Sequence, residues 1–308
     1  MRSVRAAGCQ DAHQPMQTVA PSLSVGFGLQ IDAVQDRLKA LARNGAAFSG
    51  AIGGPLVVGV LTPQRNASTL AAKDLSSSFL GLYRQVFNEG FLHGFRGGMR
   101  PTIAAVPQFT AIGPCYLATL RETGSPTAAL LLASLVESVC TYGPQKRNAQ
   151  VQFNATRLCA SEKVATEPLY RIAGPGFSFH MARNMLAMMG IRTFSPYSYG
   201  LVSGLPGVRL LDENSKRITS DLVSSAVAAT LSMPFNHIFS WSACTPELKQ
   251  MGYAQRVQAS VRFLVDTYSQ RGLSLLGRDL AARISYAALL FTLYHDVEQR
   301  LTKFSRSI

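Results

Sequence analysis

The sequence predicts an all-α membrane protein with six transmembrane helices, arranged as three tandem two-helix repeats with a short amphipathic helix in each repeat. Three observations predict this fold: a shortage of charged residues, long uncharged segments, and a proline pattern that recurs three times. Of the 308 residues, 47% are hydrophobic and only 15% are charged, whereas soluble domains average about 25% charged residues. Intrinsic disorder is excluded, because disordered chains combine low hydrophobicity with high net charge.

Six segments are long and apolar enough to cross a bilayer, which requires about 20 residues of helix. Three of them contain no Asp, Glu, Lys or Arg: residues 44–64, 101–120 and 222–246. The other three contain one charged residue each, namely Glu137 in 123–145, Arg192 in 184–208 and Arg283 in 280–295. A soluble protein with buried Ala- and Gly-rich helices is the alternative, which the mean hydropathy of +0.12 leaves open.

Small residues are frequent in these segments. Gly50 and Gly54 lie four residues apart in the first one, and this spacing allows transmembrane helices to approach each other closely. The first segment is therefore expected to pack tightly against a neighbouring helix.

A proline ends one apolar segment in each third of the chain, at Pro63, Pro144 and Pro234. A proline inside a helix removes a backbone hydrogen bond and clashes with the preceding turn, so we expect a kink at each of these positions. An amphipathic stretch that ends at a glycine then follows: residues 71–89 before Gly90, 155–173 before Gly174, and 247–271 before Gly272. This order of features predicts repeats at residues 44–122, 123–208 and 209–302.

An extension of 43 residues precedes the repeats. Arg2 and Arg5 come before its first acidic residue, Asp11, which faintly resembles a targeting sequence. Residues 29–43 have the apolar spacing of an amphipathic helix. A docking element and a helix that lies on the body of the protein are both compatible with this pattern.

Three such repeats with prolines on the odd-numbered helices resemble the mitochondrial carrier family, over about residues 44–302. The most specific match is the segment from Glu89 to Gly97, which resembles the family's acidic-Gly start and aromatic-basic-Gly end. The resemblance implies six tilted helices around a central cavity, with the short amphipathic helices on the matrix side. It also implies a multi-pass protein of the mitochondrial inner membrane.

The charged residues of the family pattern are replaced in this chain. Carriers have Pro-x-acidic-x-x-basic on each odd-numbered helix, and the resulting ion pairs close the matrix side. Here the acidic positions hold Arg65, Lys146 and Asn236, and the basic positions hold Ser68, Ala149 and Phe239. The even-numbered helices also lack the family's acidic and basic pairs. We therefore expect neither gate of an alternating-access transporter to have its usual closing energy.

Ionisable residues inside spans are costly and are therefore candidate functional residues. The resemblance implies a substrate contact at Arg283, and it aligns Arg192, Ala104 and Met188 with other contact positions. Two cations in a cavity can hold a small anion. In the alternative interpretation, Arg192 and Arg283 form structural pairs with Glu137 or with backbone carbonyl groups.

The missing gate charges favour a degenerate carrier that no longer transports. It would serve as an accessory subunit of a larger inner-membrane assembly, such as a respiratory complex or ATP synthase. The alternative is a divergent transporter of a small anionic metabolite. An enzyme is not predicted, since no nucleophile, base and orienting group converge in the sequence.

The formal net charge of +13 indicates contact with anionic membrane lipid, for which cardiolipin is a candidate. Nucleic acid is not a predicted partner, because no aromatic and basic recognition module accompanies the charge. The five cysteines and five histidines are scattered along the chain, so no metal site is predicted. No cofactor is predicted either.

Overall fold

The computed structural model describes residues 45–71, 74, 76–155 and 163–307. Within these ranges the chain is predominantly helical and has no β-strand. The predicted extension of residues 1–43 and its amphipathic helix lie outside the described residues. The helices are α1 (Gly45–Val60), α2 (Thr62–Ala71), α3 (Phe79–Val86), α4 (Met99–Thr123), α5 (Pro126–Ala155), α6 (Phe177–Met189), α7 (Ser195–Val202), α8 (Pro206–Arg209), α9 (Glu213–Ala243) and α10 (Tyr253–Ser307).

Three helices are long and apolar enough to cross a membrane: Met99–Thr123, Pro126–Asn154 and Glu213–Ala243. The predicted all-helical class is confirmed, and these helices fit a membrane protein. The helix that contains Ser49–Val60 is also apolar but shorter. Six spans and their threefold repetition stay predictions.

Six helices pack in a closed ring. Helix α1 packs against α4, which packs against α5, and α5 in turn packs against α6. Helix α6 contacts α9, α9 contacts α10, and α10 returns to α1. A π-helical turn at Gly190–Phe194 joins α6 to α7. Because the ring closes, each of these helices has one face toward the others and one face outward.

Polar side chains are buried within the ring beside apolar ones, while large apolar side chains are exposed on its outside. Buried serines recur along α5 and α9, at Ser134, Ser138, Ser220, Ser224, Ser225 and Ser232. Large apolar side chains are exposed on the same helices, at Leu131, Leu132, Leu135, Leu222, Val223, Val227 and Leu231. An apolar exterior suits a hydrocarbon solvent, in which exposed polar groups would be unsatisfied.

The three prolines differ in their positions within the helices. Pro63 follows a break in the helix at Leu61, while Pro144 and Pro234 lie inside α5 and α9. The predicted glycine stops are confirmed at Gly90 and Gly272, which have φ of 109° and 77°. These are left-handed conformations that glycine adopts at little cost.

Two of the three predicted amphipathic stretches form helices in the structure, at least in part. Helix α3 forms within 71–89, and the first part of α10 forms within 247–271 and ends at Gly272. The described part of the predicted 155–173 helix, residues 163–173, is not helical. The predicted helix is therefore wrong for these residues. Pro168 and Pro175, on either side of Gly174, have no backbone N–H group and cannot donate helical hydrogen bonds.

Residues 163–176, named the strap here, instead run antiparallel along α5. The Asn154 side chain donates to the Val164 carbonyl and accepts from the Val164 amide, at 2.8 and 2.9 Å. One turn earlier on α5, Gln150 accepts from the Glu167 amide at 2.8 Å. A Cβ atom at Gly143 would lie 2.2 Å from the Leu169 carbonyl oxygen. Glycine is therefore required at position 143 for the strap to lie against the helix.

Candidate functional site

A cavity of about 110 Å³ lies inside the helical ring. Residues of α1, α2, α4, α5, α6, α9 and α10 line it. Its wall includes three arginines, Arg65, Arg183 and Arg283, and one carboxylate, Glu137. The wall therefore has an excess of positive charge, which favours an anion.

Arg283 projects from α10 and is only 6% exposed. Its Nη2 atom lies 3.3 Å from Ser232 Oγ on α9, to which it donates. Its Nε atom has no hydrogen-bond partner within the described residues, and the same is true of Nη2 of Arg65. A buried donor without a partner is energetically costly. These two N–H donors are therefore available to a hydrogen-bond acceptor that enters the cavity.

Arg183 projects from α6 and has a full set of neutral partners. It donates to Asn236 Oδ1 on α9 at 3.1 Å and to Gln145 Oε1 on α5 at 2.8 Å. It also donates to the side-chain oxygen of the neighbouring Asn184. Arg183 therefore cross-links three helices around the cavity without an ion pair to any of these partners.

His180 extends this network through α6 toward α5. Since Arg183 can only donate, His180 Nδ1 accepts from it at 2.9 Å. The proton of the neutral ring is then on Nε2, which lies 2.9 Å from Thr141 Oγ1. Thr141 in turn donates to the backbone carbonyl of Glu137 at 2.8 Å. These hydrogen bonds hold the middle of α5 in position relative to Arg183.

Glu137 contributes the carboxylate of the cavity wall. Gln108 Nε2 on α4 donates to its Oε1 at 2.8 Å. The carboxylate thus joins the α4 side of the cavity to α5, opposite the arginines of α6 and α10.

The structure brings together some of the predicted site residues but not all. Arg283, Ala104 and Glu137 line the cavity. Met188 is buried instead in an apolar cluster between α4, α5 and α6. Arg192 lies in the π-helical turn, where its guanidinium group is 5.3 Å from the Tyr116 ring centroid.

The partner of Arg192 also differs from the prediction. Its Nη2 lies 3.2 Å from the Glu298 carboxylate on α10, so the pair is with Glu298 and not with Glu137. A π-helical turn contains one residue more than an α-helical turn and changes which side of the helix the following residues occupy. This local change of register is not visible in the hydrophobicity pattern.

Arg183 is the cavity residue that the sequence analysis missed. It immediately precedes the predicted span of residues 184–208, because that span was defined by its low charge. Helix α6 begins earlier, at Phe177, which places Arg183 in the second helical turn. The strap ends at Gly176, which has a left-handed φ of 84°. A span that is counted from this glycine includes Arg183.

Ion pairs occur at the end of the ring that is distant from the prolines. Three of these pairs join different helical elements, namely Arg192 with Glu298, Arg217 with Asp296, and His295 with Asp221. The last of these joins α9 to α10 with a separation of 2.6 Å between His295 Nδ1 and Asp221 Oδ2. These pairs connect the ring at this end through charges that the sequence analysis did not pair.

At the proline end, Glu167 of the strap binds three cations. Its carboxylate lies 3.0 Å from Lys146 Nζ, 2.9 Å from Lys249 Nζ and 3.1 Å from Arg171 Nε. Burial opposes ionisation of Glu167, but its hydrogen bonds and ion pairs with Lys249 and Lys146 hold the pKa of its carboxyl below the usual value. Lys146 is therefore neutralised by the strap.

Comparison with models of known protein families found no match. Comparison with curated proteins found none either. The function is therefore inferred from the residues of the chain itself. Within the described ranges, no three His, Cys, Asp or Glu side chains group closely enough to hold a metal ion.

Proposed function

We propose that this protein is a divergent member of the mitochondrial carrier family that binds a small anionic metabolite in its central cavity. In this proposal it is a multi-pass protein of the mitochondrial inner membrane, with six spans in three repeats. The apolar exterior and the closed ring around a polar interior support the proposal. Anionic inner-membrane lipid, with cardiolipin as a candidate, would surround the basic chain.

The proposal rests on the burial and hydrogen bonding of Arg283. Its guanidinium group is buried in the cavity wall, yet one of its donors has no partner. Arg183 and Arg65 lie in the same wall. A carboxylate, sulfate or phosphate group accepts hydrogen bonds from arginine with favourable geometry and charge. An anion of this kind would satisfy Arg283 and reduce the repulsion among the three cations.

Binding is tested by the thermal stability of the purified full chain in detergent with sulfate, succinate or ATP. At least one of these anions is expected to raise the unfolding midpoint, by an amount that grows with the logarithm of its concentration above the dissociation constant. Arg283→Gln is expected to abolish this shift, and Arg283→Lys to retain part of it because the charge is kept. Arg262→Gln is the matched control, since Arg262 is highly exposed and pairs with Asp266 on its own helix.

Uptake of the stabilising anion into liposomes then separates transport from binding alone. A wild-type shift that Arg283→Gln leaves unchanged, or no shift with any of the three anions, would contradict the proposed binding site.

The second candidate function is a non-transporting accessory subunit of a respiratory complex or ATP synthase. The observation that favours it is the bracing of the ring, since Arg183 cross-links three helices and ion pairs join elements at both ends. Blue-native separation of solubilised mitochondria tests this role. Comigration with a large assembly at constant stoichiometry supports it, whereas migration as a free species supports the anion-binding function.

A further inference from the structure

Glu137 is the only carboxylate among the residues that line the described part of the cavity. The residue is buried in the wall of the cavity. Its one hydrogen-bond donor is the side-chain amide of Gln108, which approaches Oε1 at 2.8 Å. The carboxylate therefore lies within the space that an anion would enter.

The groups that face Glu137 from the neighbouring helices are mainly cationic. Arg183 projects from α6, Arg283 projects from α10, and Arg65 lies on α2 in the same cavity wall, while the neutral His180 lies behind Arg183 on α6. The remaining titratable neighbours are Cys140 on the same helix and Tyr286 on α10. The Glu137 carboxylate therefore faces several positive groups and one neutral amide.

Arg183 and Arg283 donate their hydrogen bonds to groups other than the Glu137 carboxylate. Arg183 donates to Asn184, Asn236, Gln145 and His180, and Arg283 donates to Ser232. Within the described residues, neither arginine forms a hydrogen bond or a close ion pair with Glu137. An incoming anion can therefore reach the same cations without first displacing Glu137 from them.

A bound anion and an ionised Glu137 would repel each other in this cavity. Coulomb interactions are much stronger in a protein interior than in water, and a second negative charge nearby favours the protonated form of a carboxyl group. Gln108 suits either protonation state, because its amide can donate to a carboxylate or, after rotation, accept from a carboxylic acid. Protonation would therefore remove the repulsion while keeping the hydrogen bond.

We infer that Glu137 takes up one proton from solvent for each anion that binds, so that anion binding in this cavity is proton-coupled. The proton joins a carboxylate oxygen of Glu137, forms a neutral carboxylic acid and adds one positive charge to the complex. This inference rests on the proposed function, because it requires an anion in the cavity. It assigns Glu137 as the proton site and Arg283 and Arg65, whose unpartnered donors lie in the cavity wall, as the groups that hold the anion.

The test uses the full chain in detergent and inorganic sulfate, whose own charge is constant from about pH 5.5 to pH 8.5. Proton uptake on binding is measured with a pH indicator in weakly buffered solution, and affinity is measured by titration across the same pH range. About one proton per sulfate is expected in the middle of the range. The affinity should rise as pH falls, by up to about tenfold per pH unit where uptake is complete.

Glu137→Gln is expected to bind sulfate with an affinity that no longer depends on pH and with no proton uptake. Glu247→Gln, which alters an exposed carboxylate outside the cavity, should behave as the wild type. Should Glu137→Gln not fold, the wild-type stoichiometry still decides whether anion binding is proton-coupled.

Two results separate this inference from the function on which it rests. Sulfate binding without proton uptake at any pH overturns the role of Glu137 and leaves anion binding intact. Absence of sulfate binding also overturns this inference, and absence of binding by sulfate, succinate and ATP overturns the proposed function itself.

Discussion

Glu167 is the residue on which the position of the strap depends most. Its side chain is 5% exposed and lies between Lys146 of α5 and Lys249, which follows α9. Removing one partner of a buried ion pair leaves the other charge without compensation, which costs more than the pair contributes as a whole. The two lysines would be left close together without the carboxylate.

Glu167→Gln is therefore expected to lower the free energy of unfolding by about 3 kcal/mol, because Lys146 stays buried without a carboxylate. Thermal unfolding in detergent measures the loss. Glu213→Gln is the matched control, since Glu213 pairs with Lys216 at an exposed site, where ion pairs contribute little. Equal stability of the two variants would show that the strap is not held by Glu167.

The same residue predicts a loss of stability in acid. The pKa of Glu167 is lower in the folded protein than its ordinary value, so its contribution to stability is complete above the unfolded pKa of about 4.3. That contribution is lost as pH falls through the folded pKa, because the unfolded chain binds the proton more tightly. Unfolding midpoints measured between about pH 6 and pH 3 should fall less steeply in Glu167→Gln than in the wild type.

At the scale of elements, the contact between α1 and α4 depends on two small residues. A Cβ atom at Gly50 would lie 2.1 Å from the Phe109 carbonyl oxygen, and one at Gly54 would lie 2.3 Å from the Phe109 ring. Both distances are too short for any side chain. The helices can approach this closely only because these positions have no Cβ atom, as small-residue spacing in membrane helices allows.

Gly50→Ala is expected to destabilise the protein by about 1–3 kcal/mol, since the clash is with backbone atoms of α4 and the helices must move apart. Gly59→Ala on the same helix is the control. Its Cβ would make an ordinary contact with Thr102 at 3.5 Å, and alanine favours helix formation. Thermal unfolding compares the two variants, and a loss in Gly59→Ala as large as that in Gly50→Ala would contradict the packing argument.

At the scale of the whole molecule, polar groups are buried around the cavity beside apolar clusters, while large apolar side chains are exposed on the outside. The long helices expose leucine and valine on the outside and bury serine and arginine around the cavity. Hydrocarbon surroundings favour this arrangement, because apolar surface carries no penalty there while unpaired polar groups do. The long-range contacts between helices therefore involve many hydrogen bonds and small residues.

Val227→Arg tests whether the apolar exterior of α9 faces lipid. Val227 is 49% exposed on α9, and a charge in the middle of a span raises the apparent free energy of insertion by about 3 kcal/mol. The fraction of protein that resists alkaline extraction from membranes should fall. Leu210→Arg is the control, because Leu210 is 88% exposed and lies after the short helix α8, outside the three candidate spans. Equal extraction of both variants would contradict a lipid-facing position for Val227.

Part of the fold was predictable because it depends on neighbouring residues. The apolar segments predict α4, α5 and α9, and the glycine stops at Gly90 and Gly272 were also predicted. The cavity was predictable in part, through Arg283, Ala104 and Glu137. Arg183 was missed because the charge pattern placed it at the edge of a span. Arg192 was predicted but lies outside the cavity, in a π-helical turn that changes the register of the helix.

The sequence by itself determined that the chain is helical and has membrane-compatible helices, since hydrophobicity and backbone preference act over a few residues. Only the tertiary structure decided which charges meet: Glu167 with Lys146 and Lys249, Arg192 with Glu298, and Arg183 with neutral partners from three helices. Such pairs join residues that are far apart in the chain. Their distances depend on how the helices pack, and no local pattern encodes that packing.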